Sequence, residues 1–276
     1  RDSVCASSPR VAAKPRQVAC ADEAQPLAVE AVPRMAIAVA SVMLLCRRAG
    51  LAAVVSLAGA SAVGGLRSGP PSMAAPPAPV AVVTGGSRGI GAACCRQLAA
   101  RGYGVVVAYR SDDASAASVS EEIAASGGRA VTVRADVSRE EDVVRLFEVA
   151  DTAFGPSSRL AVLVNNAGVL GPAGSLQEVA TADQLRVVCD TNVVGPLLCC
   201  REAERRMSTK HGGQGGSIVQ VSSGSAYIGS PLLYAASKGA LNSLTIGLVR
   251  PLAEGGVRIN TVSPGMTDTD LVADAA

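Results

Sequence analysis

The sequence predicts an α/β fold in which a doubly wound parallel sheet carries helices on both faces. From Val80 onward, short apolar runs of strand type alternate with longer segments of helical periodicity, which is the pattern of βαβ units. The chain is 49% hydrophobic, only 2% aromatic and rich in Ala, Val and Gly, as expected for parallel strands buried on both faces. A Gly-rich turn directly follows the first strand, where ligands of such folds bind.

The elements follow one another at the spacing of a six-stranded domain. Gly127-Gly128 are expected to end the second helix, and Ser138 is expected to cap the third. We predict strands at Val80–Val83, Gly104–Tyr109, Arg129–Arg134, Leu160–Val164, Ser217–Val221 and Val257–Val262. We predict helices at about Gly89–Arg101, Ala114–Ser126, Ser138–Phe154, Ala182–Ser208 and Leu233–Glu254.

Tyr234 and Lys238 lie four residues apart on the last predicted helix, so both side chains leave the same helix face one turn apart. A free tyrosine, with a pKa near ~10, is a poor proton shuttle at neutral pH. A positive charge nearby favours the phenolate and lowers that pKa, and a tuned tyrosine exchanges a proton with an alcohol or carbonyl oxygen. A solvated surface pair has the same spacing, so the prediction depends on the other motifs.

The Gly-rich turn Thr84-Gly85-Gly86-Ser87-Arg88-Gly89-Ile90-Gly91 joins the first predicted strand to the first helix. Glycine permits a tight turn and a close approach of backbone N–H groups to a pyrophosphate, and the helix N-terminus adds unpaired donors and positive potential. The spacing is G-x-x-x-G-x-G rather than the commoner G-x-G-x-x-G. The alternative is a turn that only packs the helix on the sheet.

The motifs, taken in order, resemble those of the short-chain dehydrogenase/reductase family. The resemblance covers roughly Pro79 to Leu271, and within the family the chain looks like bacterial glucose 1-dehydrogenase-like reductases, with 3-oxoacyl-carrier-protein reductases as close relatives. It implies hydride transfer between a nicotinamide and a carbonyl or secondary alcohol of a sugar, polyol or 3-oxoacyl substrate. The motifs are Thr84–Gly91, Asn165-Asn166-Ala167-Gly168, Asn192, Ser222-Ser223, Tyr234/Lys238 and Pro264-Gly265.

The resemblance assigns four catalytic residues. Tyr234 is the general acid/base, and Lys238 lowers its pKa and holds the nicotinamide ribose. Ser223 hydrogen-bonds the substrate oxygen, and Asn192 anchors a water that links the lysine to a proton relay. The spacing from Ser223 to Tyr234 is shorter than usual in the family, so Ser222 and, less favourably, Ser225 remain alternatives.

The resemblance also implies a dinucleotide site. Gly85, Ser87, Gly89, Ile90 and Gly91 match the pyrophosphate turn, Asp136 and Val137 the adenine contacts, and Asn166, Ala167 and Gly168 the adenosine ribose. Pro264, Gly265, Thr267 and Thr269 match the nicotinamide side, together with Tyr234 and Lys238.

The choice between NAD and NADP depends on the end of the second strand. An acid there would bind the ribose 2′-hydroxyl and repel a 2′-phosphate. This chain has Tyr109-Arg110-Ser111 at that point, with Arg88 in the Gly-rich turn. Two guanidinium groups suit a phosphate, so we predict NADP(H) in preference to NAD(H).

Composition indicates which partners to expect. A net charge of +2 and the lack of a basic patch interleaved with aromatic residues argue against nucleic acid. Eight cysteines without a C-x-x-C spacing argue against a metal site and against disulfides. We expect the chain to bind a small carbonyl or alcohol substrate and not to bind a membrane.

Residues 1–79 differ in kind from the rest. They are basic, rich in Ala and Ser, and poor in acids after Glu30, and Ser68–Pro79 is a Pro-rich linker. We expect a disordered leader with three interpretations: an organellar transit peptide, a leader that is never translated because synthesis starts at Met35 or Met73, or a membrane anchor. A start at Met73 implies a cytoplasmic protein, and a transit peptide implies a plastid or mitochondrion.

The catalytic domain, 80–276, is expected to be incomplete. After Pro264-Gly265 the family continues with a lid helix, another helix and a seventh strand, which form part of a homotetramer interface. This chain ends at Ala276, so it is expected to lack the last helix and strand and not necessarily to form that tetramer. A non-catalytic dinucleotide-binding fragment or partner subunit is therefore the alternative function.

Overall fold

The computed structural model describes residues 78–172, 174–179, 181–269 and 271. Nearly all of the predicted leader, with its starts at Met35 and Met73 and its transit-peptide, untranslated and anchor interpretations, lies outside these ranges. Among the helices in the described ranges, none combines the length and hydropathy needed to cross a bilayer.

Six parallel strands form one sheet in the order β3-β2-β1-β4-β5-β6. The chain steps outward in one direction from β1 to β3 and in the other from β4 to β6. The carboxyl ends of β1 and β4 therefore adjoin at the point where the strand order reverses, which is where α/β sheets bind ligands. The strands are β1 (Pro79–Thr84), β2 (Gly104–Tyr109), β3 (Arg129–Arg134), β4 (Arg159–Asn165), β5 (Gly216–Val221) and β6 (Val257–Val262).

Helices cover both faces of the sheet. Short elements complete the connections, with a π-helical turn at Asp190–Val194 and a 3₁₀ turn at Thr209–His211. The α-helices are α1 (Gly89–Ala99), α2 (Asp113–Ala125), α3 (Glu140–Thr152), α4 (Leu176–Val179), α5 (Ala182–Cys189), α6 (Gly195–Met207), α7 (Ser225–Ile228) and α8 (Leu232–Ala253).

The core has two layers, one on each face of the sheet. Val82 of β1 packs into a cluster with Phe147 of α3 and Met207 of α6, whereas the next residue, Val83, packs against Cys95 of α1 on the opposite face. Successive side chains of a strand point to opposite faces, so an apolar run buries both. This confirms the predicted α/β architecture and explains the continuous valine runs of the central strands.

Of two predictions about helix ends, the structure confirms one and contradicts the other. The end of α2 is confirmed, because Gly127 has φ +78° and the Gly128 amide donates to the Ile123 carbonyl at 2.9 Å. The prediction that Ser138 caps the next helix is wrong. Its amide and hydroxyl both donate to Asp136 Oδ1, at 3.0 and 2.7 Å, and α3 begins two residues later with three acids in its first turn, which favour a helix N-terminus.

The predicted single helix over Ala182–Ser208 is also wrong in detail. The segment divides into α5 and α6, and the π-helical turn between them contains Asn192. Single π turns of this kind often occur at functional sites. Here the irregularity lies at the one residue of the segment to which the sequence assigned a catalytic role.

Candidate functional site

A cleft of about 240 Å³ lies at the carboxyl ends of β1 to β4; we call it the switch-point cleft. Its wall on one side is the Gly-rich turn between β1 and α1, and on the other the segments that follow β2, β3 and β4. The topology accounts for its place, because the chain leaves β1 and β4 in opposite directions and opens a crevice between them.

The Gly-rich turn approaches its neighbours more closely than any side chain would allow. Gly85 and Gly89 have φ +62° and +52°, values that favour glycine. A Cβ on Gly91 would lie 2.0 Å from the Gly85 carbonyl oxygen. Arg88 at the N-cap position makes no side-chain cap, so the first N–H groups of α1 keep donors that suit an anion.

Thr84 and Asn166 join the ends of β1 and β4. The Thr84 hydroxyl accepts from the amides of Asn166 and Ala167 at 3.0 and 3.1 Å. The Asn166 side-chain amide donates to the carbonyls of Thr84 and Gly85 at 3.0 and 2.9 Å. The Asn166 side chain therefore fixes the Gly-rich turn. These two hydrogen bonds also explain why Asn166 lies beside the cleft.

Helix α8 buries Tyr234 and Lys238 next to the same strand ends. Lys238 is 3% exposed, its Nζ donates to the Val221 carbonyl at 2.8 Å, and it lies 5.5 Å from the centroid of the Tyr234 ring. Burial lowers the pKa of Lys238 to about 8. A Cβ on Gly168, which lines the switch-point cleft, would lie 3.5 Å from Lys238 Nζ, so the lysine is close to that cleft.

The pKa of Tyr234 is raised in this structure, and not lowered as expected from the neighbouring Lys238. Burial raises the pKa of Tyr234, and a hydrogen bond with the Ser223 side chain lowers it in part. The cause is desolvation, which disfavours the charged phenolate. Tyr234 is therefore protonated at neutral pH and holds a proton that it can donate.

Asn192 is fully buried and holds the loop after β4 against α8. Its Oδ1 accepts from the Val169 amide at 2.9 Å, and its Nδ2 donates to the Val169 carbonyl at 2.8 Å and to Ser237 Oγ at 2.9 Å. Ser237 Oγ in turn donates to the Tyr234 carbonyl at 2.7 Å. Asn192 thus reaches the backbone of Tyr234 through one serine.

The two serines at the end of β5 have different environments. Ser222 is buried and its hydroxyl donates to the Lys238 carbonyl at 3.3 Å. Ser223 is half-buried, accepts from the Ser225 amide at 3.1 Å and lies close enough to Tyr234 to lower the pKa of that phenol in part. The geometry therefore favours Ser223 as the serine that faces the same space as the tyrosine.

A family model described as short chain dehydrogenase matches residues 79–276. The chain belongs to this family. It is 46% identical over 197 residues to an uncharacterized oxidoreductase, YgfF, of Escherichia coli, covering 70% of this chain and 78% of that protein. It is 36% identical over 201 residues to a 3-oxoacyl-[acyl-carrier-protein] reductase of Synechocystis, covering 72% and 78%.

Solved structures of short-chain dehydrogenases agree. A short chain dehydrogenase from Burkholderia cenocepacia in complex with NADP aligns with a TM-score of 0.64 and 38% identity, covering 71% of this chain and 77% of that one. A dehydrogenase/reductase from Sinorhizobium meliloti aligns with the same TM-score at 37% identity, covering 71% and 75%. The family resemblance and the Rossmann-like fold are confirmed.

The switch-point cleft brings together most residues assigned to the cofactor. A nicotinamide dinucleotide, the cofactor of short-chain dehydrogenases, fits a cleft whose close glycine turn and unpaired helix N–H groups suit a pyrophosphate. The assigned residues that line it are Gly85, Ser87, Arg88, Gly89, Ile90, Tyr109, Arg110, Asp136, Val137, Asn166, Ala167, Gly168 and Thr269.

Six assigned cofactor residues do not line the cleft: Gly91, Tyr234, Lys238, Pro264, Gly265 and Thr267. Gly91 packs beneath the turn against the Gly85 carbonyl. The Pro264 carbonyl accepts from the Gly224 amide at 2.9 Å, and the exposed Thr267 hydroxyl donates to the Gly265 carbonyl at 3.1 Å. Pro264, Gly265 and Thr267 lie in the segment after β6. Among the described residues of that segment, Thr269 contacts the Gly-rich turn, with its methyl carbon 3.0 Å from where a Cβ on Gly89 would lie.

Sequence reasoning missed several residues of the site. Asp112 and Thr191 line the switch-point cleft, and Ser237 connects Asn192 to Tyr234. Asp112 could have been found as a helix N-cap, because its carboxylate accepts from the Ser115 amide at 2.9 Å. Ser237 lies inside the Tyr-Ala-Ala-Ser-Lys motif, and its polarity on an otherwise buried helix face was the available signal.

Replacing Lys238 by methionine is expected to stabilise the ligand-free protein at about pH 7 by roughly 1–2 kcal/mol. The fall in the lysine pKa from 10.5 to about 8 corresponds to a folding penalty on the order of 3 kcal/mol, and losing the hydrogen bond to Val221 offsets about 1 kcal/mol of the gain. Urea unfolding of both proteins measures the difference.

The pH dependence of this difference has a definite sign. Below the folded pKa of about 8, lysine is protonated in both states and the penalty is complete. Between about 8 and 10.5 the unfolded state binds more protons, so wild-type stability rises with pH and the advantage of the variant disappears. Lys210→Met, on an exposed lysine, is the control; an advantage that grew with pH would contradict the assignment.

Proposed function

We propose that this chain is an NADP(H)-dependent oxidoreductase that interconverts a carbonyl and a secondary alcohol, on substrates of the sugar, polyol or 3-oxoacyl type. The observation that carries the proposal is the arrangement of Tyr234, Ser223 and Lys238 next to the switch-point cleft, held by buried hydrogen bonds of Asn192 and Ser237. Buried polar groups of this kind fix the geometry of a reacting site.

Each side chain has a separate task. When bound, NADP(H) supplies or accepts the hydride. Tyr234 donates its phenolic proton to the oxygen that develops negative charge during carbonyl reduction, and takes that proton back during alcohol oxidation. The Ser223 hydroxyl, which lies close enough to Tyr234 to lower its pKa in part, orients the same oxygen. Lys238, close to Gly168, stabilises the phenolate that forms as the proton leaves.

The space between Asn192 and Lys238 supports the proposed water position. A Cβ on Gly168 would lie 3.3 Å from Asn192 Oδ1 and 3.5 Å from Lys238 Nζ, so glycine leaves room between two polar groups. Asn192 Oδ1 accepts a hydrogen bond from the Val169 amide at 2.9 Å, and a carbonyl oxygen has a second lone pair. A water bound there would pass protons to and from the lysine.

The preference for NADP(H) rests on the charges at the adenine end of the switch-point cleft. Arg88 and Arg110 both line it, and Arg88 is half-exposed with its Nε 3.9 Å from Asp112 Oδ2. The Asp112 carboxylate already accepts from the Ser115 amide and hydroxyl at 2.9 and 2.7 Å. Those bonds hold the Asp112 carboxylate at the start of α2, and Arg88 and Arg110 are the groups that would bind a ribose 2′-phosphate.

Replacing Arg110 by glutamine is expected to weaken NADPH binding by about tenfold or more, since a hydrogen bond to a charged group is worth about 1.5–3 kcal/mol. NADH, which has no 2′-phosphate, is expected to bind with unchanged affinity. Fluorescence titration with both nucleotides measures the two dissociation constants, and Arg186→Gln, on an exposed arginine of α5, controls for net charge. Equal losses for NADH and NADPH would refute a 2′-phosphate contact.

The proposed activity is tested by NADPH oxidation with a panel of carbonyl compounds that includes a 3-oxoacyl thioester, an aldonolactone and a cyclic ketone. Turnover of any class supports the enzyme. Saturable NADPH binding without turnover of the whole panel would favour the alternative, a dinucleotide-binding subunit without catalysis of its own.

A further inference from the structure

A second cleft, which we call the arginine cleft, adjoins the switch-point cleft at the ends of β2 and β3 and the start of α3. It has a volume of about 480 Å³. Arg110 and Asp136 line both clefts, so the two clefts share a wall at that point. The lining residues of the arginine cleft are Arg110, Arg134, Asp136, Arg139, Asp142 and Arg145.

The two acids of the arginine cleft are already bonded within the protein. Asp142 Oδ2 accepts from the Asp136 amide at 2.9 Å, and its Oδ1 lies 2.9 Å from Arg145. Asp136 Oδ1 accepts from the amide and hydroxyl of Ser138 at 3.0 and 2.7 Å. Four guanidinium groups face two carboxylates, so the cleft keeps two excess positive charges while its acids are occupied.

Two of the guanidinium groups are held in place by main-chain carbonyls. Arg134 Nε donates to the Arg110 carbonyl at 3.1 Å, and an Arg145 Nη2 hydrogen donates to the Arg134 carbonyl at 3.0 Å. A guanidinium has five N–H donors in a planar fork, so each of these bonds positions the group and leaves other donors for a ligand. Planar forks of this kind suit phosphate oxygens.

We propose that the arginine cleft binds a phosphate-bearing anion, and that an anion bound there weakens the binding of NADPH but not of NADH. The second half of this inference rests on the proposed function, because it requires a 2′-phosphate beside Arg110. An anion in the arginine cleft draws on the same guanidinium and repels the 2′-phosphate of the cofactor, and NADH has no such group.

The test of this proposal uses inorganic pyrophosphate as the ligand and the full 276-residue chain as the protein. Calorimetry without nucleotide measures pyrophosphate binding directly, and NADPH and NADH titrations are repeated with and without pyrophosphate at matched ionic strength. We expect saturable pyrophosphate binding, and a rise in the NADPH dissociation constant of about fivefold or more, in the range of measured coupling between sites. We expect no change for NADH.

Arg139→Gln is the decisive variant, because Arg139 lines the arginine cleft and not the switch-point cleft. It is expected to lose pyrophosphate binding and the effect on NADPH, while NADPH affinity without pyrophosphate stays at the wild-type value. Arg250→Gln, on an exposed arginine of α8, removes the same charge elsewhere and is expected to behave as wild type.

The outcomes separate this inference from the proposed function. The proposed anion site would be overturned if pyrophosphate did not bind, or if pyrophosphate still weakened NADPH binding in Arg139→Gln. Equal weakening of NADH and NADPH would also overturn it, since pyrophosphate would then occupy the Gly-rich turn. Pyrophosphate binding that depends on Arg139, in a protein that binds no NADPH, would support the anion site and refute the proposed function.

Discussion

Replacing Tyr234 by phenylalanine is expected to lower kcat for carbonyl reduction by about 100-fold to 10,000-fold, the usual contribution of a positioned general acid. Phenylalanine keeps the ring and its packing, since Tyr234 is only 8% exposed, and removes the hydroxyl that we propose as the proton donor to the substrate oxygen. NADPH affinity is expected to stay within about twofold of wild type, a difference well below 1 kcal/mol. Single-turnover measurements with saturating NADPH separate the chemical step from binding.

Tyr227 provides the matched control for this substitution. It is 74% exposed on α7, and its hydroxyl accepts only a long hydrogen bond, 3.5 Å, from Asn242 Nδ2. Tyr227→Phe removes the same hydroxyl from the same type of residue, so we expect unchanged turnover. A Tyr234→Phe variant with wild-type kcat would rule out the Tyr234 phenol as the proton donor.

The strands, and the helix that contains Tyr234 and Lys238, were predictable because the sequence patterns that indicate them are local. Gly104–Tyr109, Arg129–Arg134 and Val257–Val262 have in the structure the bounds predicted from the sequence. In each case a run of β-branched residues follows a glycine or a turn, and both the run and its boundary are visible in the sequence. The alternation of strands and helices predicted the parallel sheet, whereas the order of its strands comes from the structure alone.

The errors at the candidate site share a tertiary origin. The π turn around Asn192 depends on bonds to Val169 and Ser237, which lie 23 and 45 residues away. The pKa of Tyr234 was predicted from a neighbouring charge, but burial outweighs it. Spacing along a helix identifies which residues share a face, and it does not reveal how dry that face is. The family resemblance identified the residues, and the structure corrected their electrostatics.

We expect the second large effect at Gly91, where the backbone of the Gly-rich turn packs too closely to admit a side chain. Gly91→Ala is expected to destabilise the protein by several kcal/mol, at or above the roughly 1–3 kcal/mol usual for overpacking, and to weaken NADPH binding more than tenfold. The new Cβ would lie 2.0 Å from the Gly85 carbonyl oxygen and 2.6 Å from Asn166 Nδ2. Relief requires the backbone to move away from Asn166, which opens the turn that lines the switch-point cleft.

The sign of this effect is opposite to what helix propensity alone predicts. Gly91 lies within α1, where alanine is favoured over glycine by roughly 0.5–1 kcal/mol. Gly247 lies within α8 with no atom within 4 Å of its Cβ position, so Gly247→Ala is expected to raise stability by about that amount. Thermal unfolding and NADPH titration of the two variants isolate the steric term, because the chemical change is identical. If Gly91→Ala also raised stability and bound NADPH normally, the close packing of the turn on Asn166 would not be what shapes the cofactor site.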